Sequence, residues 1–280
     1  MPELPEVETI ARFLRNSTAF TSSGGSLAGG SVIGRVIRSV ELLWERTLAE
    51  PLPAEVNTRL VGQEIREVDR RGKFLVLELS RGWLLFHLRM SGDIRVEQES
   101  ATCLAHDRVI FHFGDDTRLV FNDTRKFGRI WAVDDPQSVV GGLGPEPLGN
   151  AFSAELLHQM LRARSRELKP LLMDQAFLAG LGNIYTDEAL HRAGLHPRRR
   201  SSSLKMQESE RLYQAIREVL EEGIRRNGAS IDWVYRGGEF QNYFRVYQRQ
   251  GQVCTTCGTK IERIVVGQRG TRYCPKCQPL

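Results

Sequence analysis

The chain has no apolar run approaching the length of a membrane span, and its first residues lack the basic and apolar regions of a secretion signal. No membrane partner is expected, and the protein should be cytoplasmic. Cysteine is sparse, five in 280 residues, so each one can be weighed individually. No segment repeats. Acidic residues thin out toward the C-terminus: residues 236–280 hold eight Lys or Arg (236, 245, 249, 260, 263, 269, 272, 276) against two Glu (239, 262). With a net charge of +5, this asymmetry favours a polyanionic partner.

Four of the cysteines form two knuckles, Cys254-x2-Cys257 and Cys274-x2-Cys277, separated by residues 258–273. Each knuckle places two thiolates on one tight turn, and two such turns close a tetrahedral site. Two disulfides are the alternative, disfavoured by the missing signal. With all four positions filled by protein, one structural Zn2+ is expected. Cys103 has no partner in this pattern and reads as a small buried hydrophobe.

The N-terminus, Met1-Pro2-Glu3-Leu4-Pro5-Glu6-Val7-Glu8, carries a different chemistry. Removal of Met1 would leave Pro2 as a secondary amine, and a free α-amino group titrates near ~8. Pro5 suits a first helical turn, and Val7, Ile10, Ala11 and Leu14 follow at helical spacing, so Pro2 should precede a helix. The positive end of the helix dipole disfavours the ammonium, whereas Glu3 and Glu6 favour it. Such an amine can attack a sugar aldehyde carbon to give an iminium ion, with neighbouring carboxylates moving protons. A plain helix cap would use the same residues.

Short apolar or alternating runs at 73–79, 83–89, 108–113, 118–122 and 129–133 predict an antiparallel sandwich or barrel. A Pro/Gly-rich linker at 141–149 follows, and then helical periodicity at 153–164, 169–173, 186–192 and 203–226. Residues 17–31 are rich in Ser and Gly and read as a flexible loop. The expected divisions are 1–140, 150–235 and 236–280. Gly180-Leu181-Gly182-Asn183 can bring backbone amides close to an anion at a helix start. A dinucleotide loop is the competing reading, but no strand precedes it and a third glycine is missing.

Taken together, Pro-Glu-Leu-Pro-Glu-Val-Glu, Gly-x-Gly-Asn-Ile-Tyr and the four-Cys finger resemble the formamidopyrimidine-DNA glycosylase family of base-excision repair enzymes. The similarity runs over nearly the whole chain. Glu-Leu after Met-Pro resembles the oxidised-purine branch; the endonuclease VIII branch typically has Glu-Gly. The resemblance implies an α+β multidomain fold: a β-sandwich with a terminal helix, a helix-two-turns-helix domain and a zinc finger, with damaged duplex DNA in the cleft. It implies a monomer, nucleoid-associated when bound to DNA.

By the same resemblance Pro2 is the nucleophile at C1′, Glu3 the general acid and base, and Glu6 an orienting carboxylate. Lys73 matches a proton donor in β-elimination, and Arg269 a finger arginine associated with δ-elimination. Phe127, Met90 and Arg125 match the residues that wedge, fill and read the stack vacated by a flipped base. His106, Arg164, Lys169 and Asn183 match further DNA contacts. Without the family context, Lys73 would read as a solvated turn cation and Met90 and Phe127 as core. The 17–31 run is longer than the family pattern, and residues 236–240 fall where a base-capping loop lies. An oxidised-pyrimidine glycosylase and a noncatalytic damage binder remain as alternatives, although the proton-transfer set favours an enzyme.

Overall fold

The structure, a computed structural model, describes residues 1–16, 21–22, 25–26, 30–230 and 237–280. Much of the expected loop at 17–31 and residue 236 of the expected capping segment lie outside the described residues; so does the expected boundary at 235/236. Two compact units emerge: Met1–Gly142 with Asn227–Gly238, and Leu143–Arg226 with Glu239–Leu280. The first unit is therefore discontinuous in sequence.

That unit opens with α1 (Leu4–Arg15), which buries Leu4, Val7, Ile10, Ala11 and Leu14 along one face. The short strands β1 (Thr21–Ser22) and β2 (Gly25–Ser26) pair antiparallel. There follow β3 (Ile37–Leu42), β4 (Leu48–Glu50), α2 (Val56–Leu60), β5 (Ile65–Arg71), β6 (Phe74–Leu79), β7 (Trp83–His87) and β8 (Gly92–Gln98). The unit continues through β9 (Asp107–Phe113), β10 (Thr117–Asp123), β11 (Arg129–Val133) and α3 (Gln137–Val140). One sheet has the order β3-β9-β10-β8, the other β4-β11-β7-β6-β5. All pairs in these two sheets are antiparallel except β11 with β4. Phe86 of the second sheet meets Phe111 and Phe121 of the first at 5.7 and 6.1 Å, which marks the seam of the sandwich. Each such fully buried side chain contributes about 1.5–3 kcal/mol from removal of apolar surface from water.

The five expected strands are present, and β3, β4, β5 and β8 join them. In β3 and β5 the buried residues sit three apart, Ile37 with Val40 and Ile65 with Val68. Register shifts between Ile37 and Ser39 and between Ile65 and Glu67 explain this, because a bulge inserts one residue and breaks the two-residue alternation.

The second unit holds α4 (Ala154–Arg162), α5 (Leu168–Leu172), α6 (Asn183–Ala193), α7 (Met206–Arg225) and the hairpin β12 (Glu262–Val266) to β13 (Arg269–Tyr273). Helix α4 starts where Ser153 Oγ accepts from Leu156 N at 3.2 Å. Helix α7 buries Leu212, Ala215, Ile216, Val219, Leu220 and Gly223, an i, i+3, i+4, i+7 stripe. By contrast α6 is buried nearly all round, including Thr186, Asp187, Glu188 and His191. No helix among the described residues is long and apolar enough to cross a membrane.

Candidate active site and nucleic-acid contacts

Pro2, Glu3 and Glu6 are buried, and Met1 is 42% exposed. Glu6 accepts from Glu3 N on Oε2 at 2.8 Å and from Ala229 N on Oε1 at 2.7 Å. Both its oxygens are thus occupied by backbone amides, which makes it a brace between the N-terminal turn and the return segment. Gly228 is required beside it: its φ is +79°, and a Cβ there would lie 2.7 Å from Glu6 Oε1. While Met1 is attached, the Pro2 nitrogen is an amide.

Helix α1 also supports the turn that carries Lys73. Glu8 Oε2 lies 3.2 Å from Arg70 Nε, and Arg70 NH1 donates to Gly72 O at 3.0 Å. Burial would raise the Glu8 carboxyl, but the Arg12 hydrogen bond and the charges of Arg70 and Arg15 hold it below its ordinary value. Lys73 is 5% exposed and is no solvated turn cation. It neighbours His87, whose pKa falls to about 3 through burial first and then the charges of Arg89 and Lys73. His87 Nδ1 accepts from Arg89 N at 3.1 Å, and the ring meets Phe74 edge-on at 4.7 Å.

Met90, Arg125, Phe127 and His106 come from three different loops, joined by one buried carboxylate. Asp123 Oδ1 accepts from Ser91 Oγ and, at 3.2 Å, from Arg125 N; its Oδ2 accepts from Gly128 N at 2.7 Å. Ser91 Oγ accepts in turn from Arg125 N at 3.0 Å. On the third side Asp123 N donates to His106 O at 2.9 Å, and Arg108 bridges Asp123 O to His106 Nδ1. Arginine can only donate, so neutral His106 carries its proton on Nε2. Phe127 is 56% exposed, which removes it from the core, and Met90 is half-buried. Arg89 and Lys126 both adopt positive φ at these loop tips, +54° and +61°. Lys126 is held there by the Trp44 ring, 3.8 Å from its Nζ.

Cys103 is corrected by the structure: it is exposed, with Sγ 3.5 Å from Asp107 Oδ2. Asp107 anchors that loop through Arg95, Asn122 and Leu104 N, and these partners outweigh its burial to bring the carboxyl down to about 2.

In the second unit Asn183 begins α6, with Gly182 as extended N-cap and Gly180 at φ +91°. Asn183 Nδ2 donates to Tyr247 Oη at 3.4 Å, and its Oδ1 has no partner among the described residues. Arg269 is exposed at the start of β13, after the positive-φ pair Gly267 and Gln268. Arg164 is exposed, its guanidinium 5.4 Å from the Phe177 ring.

Lys169 departs from expectation. It is fully buried, with Nζ 2.6 Å from Asp187 Oδ1 and 3.2 Å from Gly270 O. A direct phosphate contact is incompatible with that position. Lys169 instead ties α5 and α6 to the hairpin that bears Arg269, and Asp187 completes the link by accepting from Arg272 N at 3.0 Å. Glu188 is buried on the same helix and accepts from the amides of Arg245, Val246 and Tyr247. No sequence signal marks these roles, because Asp187 and Glu188 look like surface acids of a helix. Asp123 likewise reads as a turn residue, and Asn227-Gly228 only as a helix stop.

The four finger sulfurs all lie within 4.8 Å of one another, with Cys254 and Cys277 3.8 Å apart and Cys257 and Cys274 3.4 Å apart. Tetrahedral thiolates with metal–sulfur bonds of about 2.3 Å would sit about 3.8 Å apart, so the set fits one structural Zn2+. His191 Nε2 lies 3.5 Å from Cys254 Sγ, while Nδ1 has no partner among the described residues. The tautomer protonated at Nε2 can donate to that sulfur.

Comparisons with known proteins agree along the whole chain. The formamidopyrimidine-DNA glycosylase N-terminal domain matches residues 1–130, the H2TH domain of the same enzymes 143–234, and the zinc finger found in FPG and IleRS 251–280. The formamidopyrimidine-DNA glycosylase of Protochlamydia amoebophila is 40% identical, and that of Pelotomaculum thermopropionicum 41%, each over 99% of both chains. Among solved structures, a Lactococcus lactis FPG mutant in complex with Fapy-dG-containing DNA is similar at a TM-score of 0.89 and 33% identity over 100% of both chains. A MutM complex with DNA containing carbocyclic 8-oxo-G is similar at 0.88 and 34%, again over both whole chains.

Proposed function

Because the chain belongs to the formamidopyrimidine-DNA glycosylase family, we propose that it excises oxidised purines, 8-oxoguanine and formamidopyrimidines, from duplex DNA in base-excision repair and then cleaves the strand as an AP lyase. After Met1 is removed, the Pro2 amine attacks C1′. The C1′–N bond to the base breaks and the base leaves, so that the Pro2 nitrogen is bonded to C1′ of a still closed sugar. Glu3 delivers the proton to O4′ that opens the ring, and as the C1′–O4′ bond breaks the nitrogen and C1′ become an iminium ion. Loss of a C2′ proton then expels the 3′ phosphate, with Lys73 as proton donor, and Arg269 assists the second elimination at the 5′ side. The observation that carries this assignment is the Glu6 brace, which fixes an otherwise flexible terminus where its amine must be held.

In the flipped state Phe127 wedges the stack, Met90 fills the gap and Arg125 reads the orphaned base. His106, Arg164 and Asn183 contact phosphates. The zinc supplies no chemistry; it holds the finger that carries Arg269. The enzyme acts as a cytoplasmic, nucleoid-associated monomer, in three functional parts at 1–140, 150–235 and 236–280, a division that the separate family matches support.

Borohydride trapping on duplexes carrying 8-oxoguanine, an oxidised pyrimidine or no lesion tests the reading. Covalent capture should be fastest with 8-oxoguanine and absent without a lesion. Preferential capture of the pyrimidine would assign the other branch, and binding without capture a damage sensor. Enzyme that retains Met1 should bind but not trap, with intact mass read on the same sample.

A further inference from the structure

Two arginine runs distant in sequence form one ridge in the second unit. Residues 166–169 and 197–201 run antiparallel: Leu168 N donates to Arg199 O, Lys169 N to Pro197 O and Ser201 N to Arg166 O, at 2.9–3.0 Å. Ser201 Oγ closes the end by donating to Arg164 O at 2.6 Å and accepting from Arg166 N at 3.3 Å. Carboxylates neutralise two of the six arginines: Arg166 pairs with Asp174 at 2.7 Å and Arg199 with Glu208 at 2.8 Å. The remaining four, Arg162, Arg164, Arg198 and Arg200, are exposed, and among the described residues none has a carboxylate within ion-pair distance. Glu167 faces Arg200 across the ladder without reaching it.

Neutral groups hold these four in place. Arg162 NH1 donates to Ser202 O at 2.5 Å, Arg200 NH1 to Ser165 O at 3.2 Å and Arg198 NH2 to Val265 O at 3.0 Å, while Arg164 rests over Phe177. A guanidinium anchored by a carbonyl keeps its full charge and most of its five donors, and loses little further rotamer freedom on meeting an anion. Through Val265 the ridge runs into β12, where Arg263 lies directly opposite Arg272 of β13. Like charges opposed across a ladder are unfavourable unless an anion lies near them.

We propose that the ridge and this hairpin face form a phosphate track for the duplex backbone, beyond the contacts named above. The proposal rests on the DNA-binding reading above and adds residues 162, 198 and 200 to it. Several pre-positioned guanidinium forks on one backbone ladder match the repeated single charges of a phosphodiester chain better than a compact anion.

The test is the salt dependence of binding to lesion-free duplexes of about one helical turn and of about three turns. For Arg162→Ala/Arg200→Ala the slope of log K against log salt should fall by about two on the long duplex, near 0.9 for each lost contact. Arg162→Lys/Arg200→Lys should restore the long-duplex slope, because the contact is one of charge. An unchanged slope on both lengths, or an effect confined to RNA or an acidic protein, would overturn the proposal. Should the alanine pair unfold, Arg162→Gln/Arg200→Gln gives the same readout with the side-chain stems kept. Wild-type trapping on lesion DNA, run in parallel, keeps a failure of the ridge distinct from a failure of the glycosylase reading.

Discussion

In the first unit two buried carboxylates hold the candidate site together: Glu6 takes amides from residues 3 and 229, and Asp123 joins the loops of Ser91, Arg125 and His106. In the second unit the same task falls to one helix, whose Asn183 and Glu188 meet the 245–247 turn, His191 meets Cys254 and Asp187 meets Arg272, three separate points of the finger segment. Local polar knots can fail singly. A polar helix tied at several points to a metal-dependent finger segment should fail as a whole.

Removing the metal tests that contrast most severely. Cys257→Ser should lose zinc, and with it the order of the Arg269 hairpin and lesion affinity, while the emission of Trp44, Trp83 and Trp131 of the first unit, three of the four tryptophans, stays native. Zinc-free protein that binds lesion DNA at wild-type affinity would show that α6 holds the finger unaided. Next in size is Lys169→Ala, which strands Asp187 in the interior and should cost about 3–5 kcal/mol of second-unit stability. Its salt slope on lesion-free duplex should match wild type. A slope lower by one would return Lys169 to the DNA surface.

The fold was largely legible in the sequence, and the site only in part. Short apolar or alternating runs mark β6, β7, β9, β10 and β11, and β8 alternates through Gly92, Ile94 and Val96. Bulges hide β3 and β5, because a phase slip looks like an irregular loop. Cysteine spacing and the N-terminal string announce their chemistry directly. The braces do not, since Asp123, Asp187 and Glu188 acquire their meaning from partners that only the folded chain supplies. Lys169 was misplaced for that reason: a lysine beside an arginine-rich run reads as surface, and its counter-charge lies 18 residues away.

A smaller effect concerns the knot around Asp123. Arg125→Ala should weaken discrimination between cytosine and adenine opposite 8-oxoguanine by ~1–3 kcal/mol, since adenine presents a donor where the guanidinium also donates. Trp44→Ala, which frees Lys126, should erode that preference less, and Phe127→Ala should slow excision while largely sparing it. Single-turnover excision opposite each base reads all three, and an equal preference in wild type and Arg125→Ala would place discrimination elsewhere. A last effect, gradual with pH, is acid sensitivity of the first unit. His87 titrates near 3 when folded against about 6.5 unfolded, so below pH 6.5 the unfolded chain binds the extra proton and stability falls, by at most ~1.4 kcal/mol per pH unit, until about pH 3. Urea midpoints followed by tryptophan fluorescence between pH 7 and 4 should slope less in His87→Gln; parallel slopes would assign the sensitivity to other groups.

The Glu6 brace also sets an order of events during synthesis. Pro2, Glu3 and Glu6 leave the ribosome first, but the amide that fills Glu6 Oε1 comes from a residue 223 positions later. At ~5–20 residues per second that interval is on the order of 10–45 s. Processing of Met1 can therefore expose the amine well before its surroundings exist, and a chain truncated before residue 229 would carry the nucleophile without the support that aims it. Chemical maturation precedes geometric maturation, because the amide that aims the amine is added 223 positions after the carboxylate it fills.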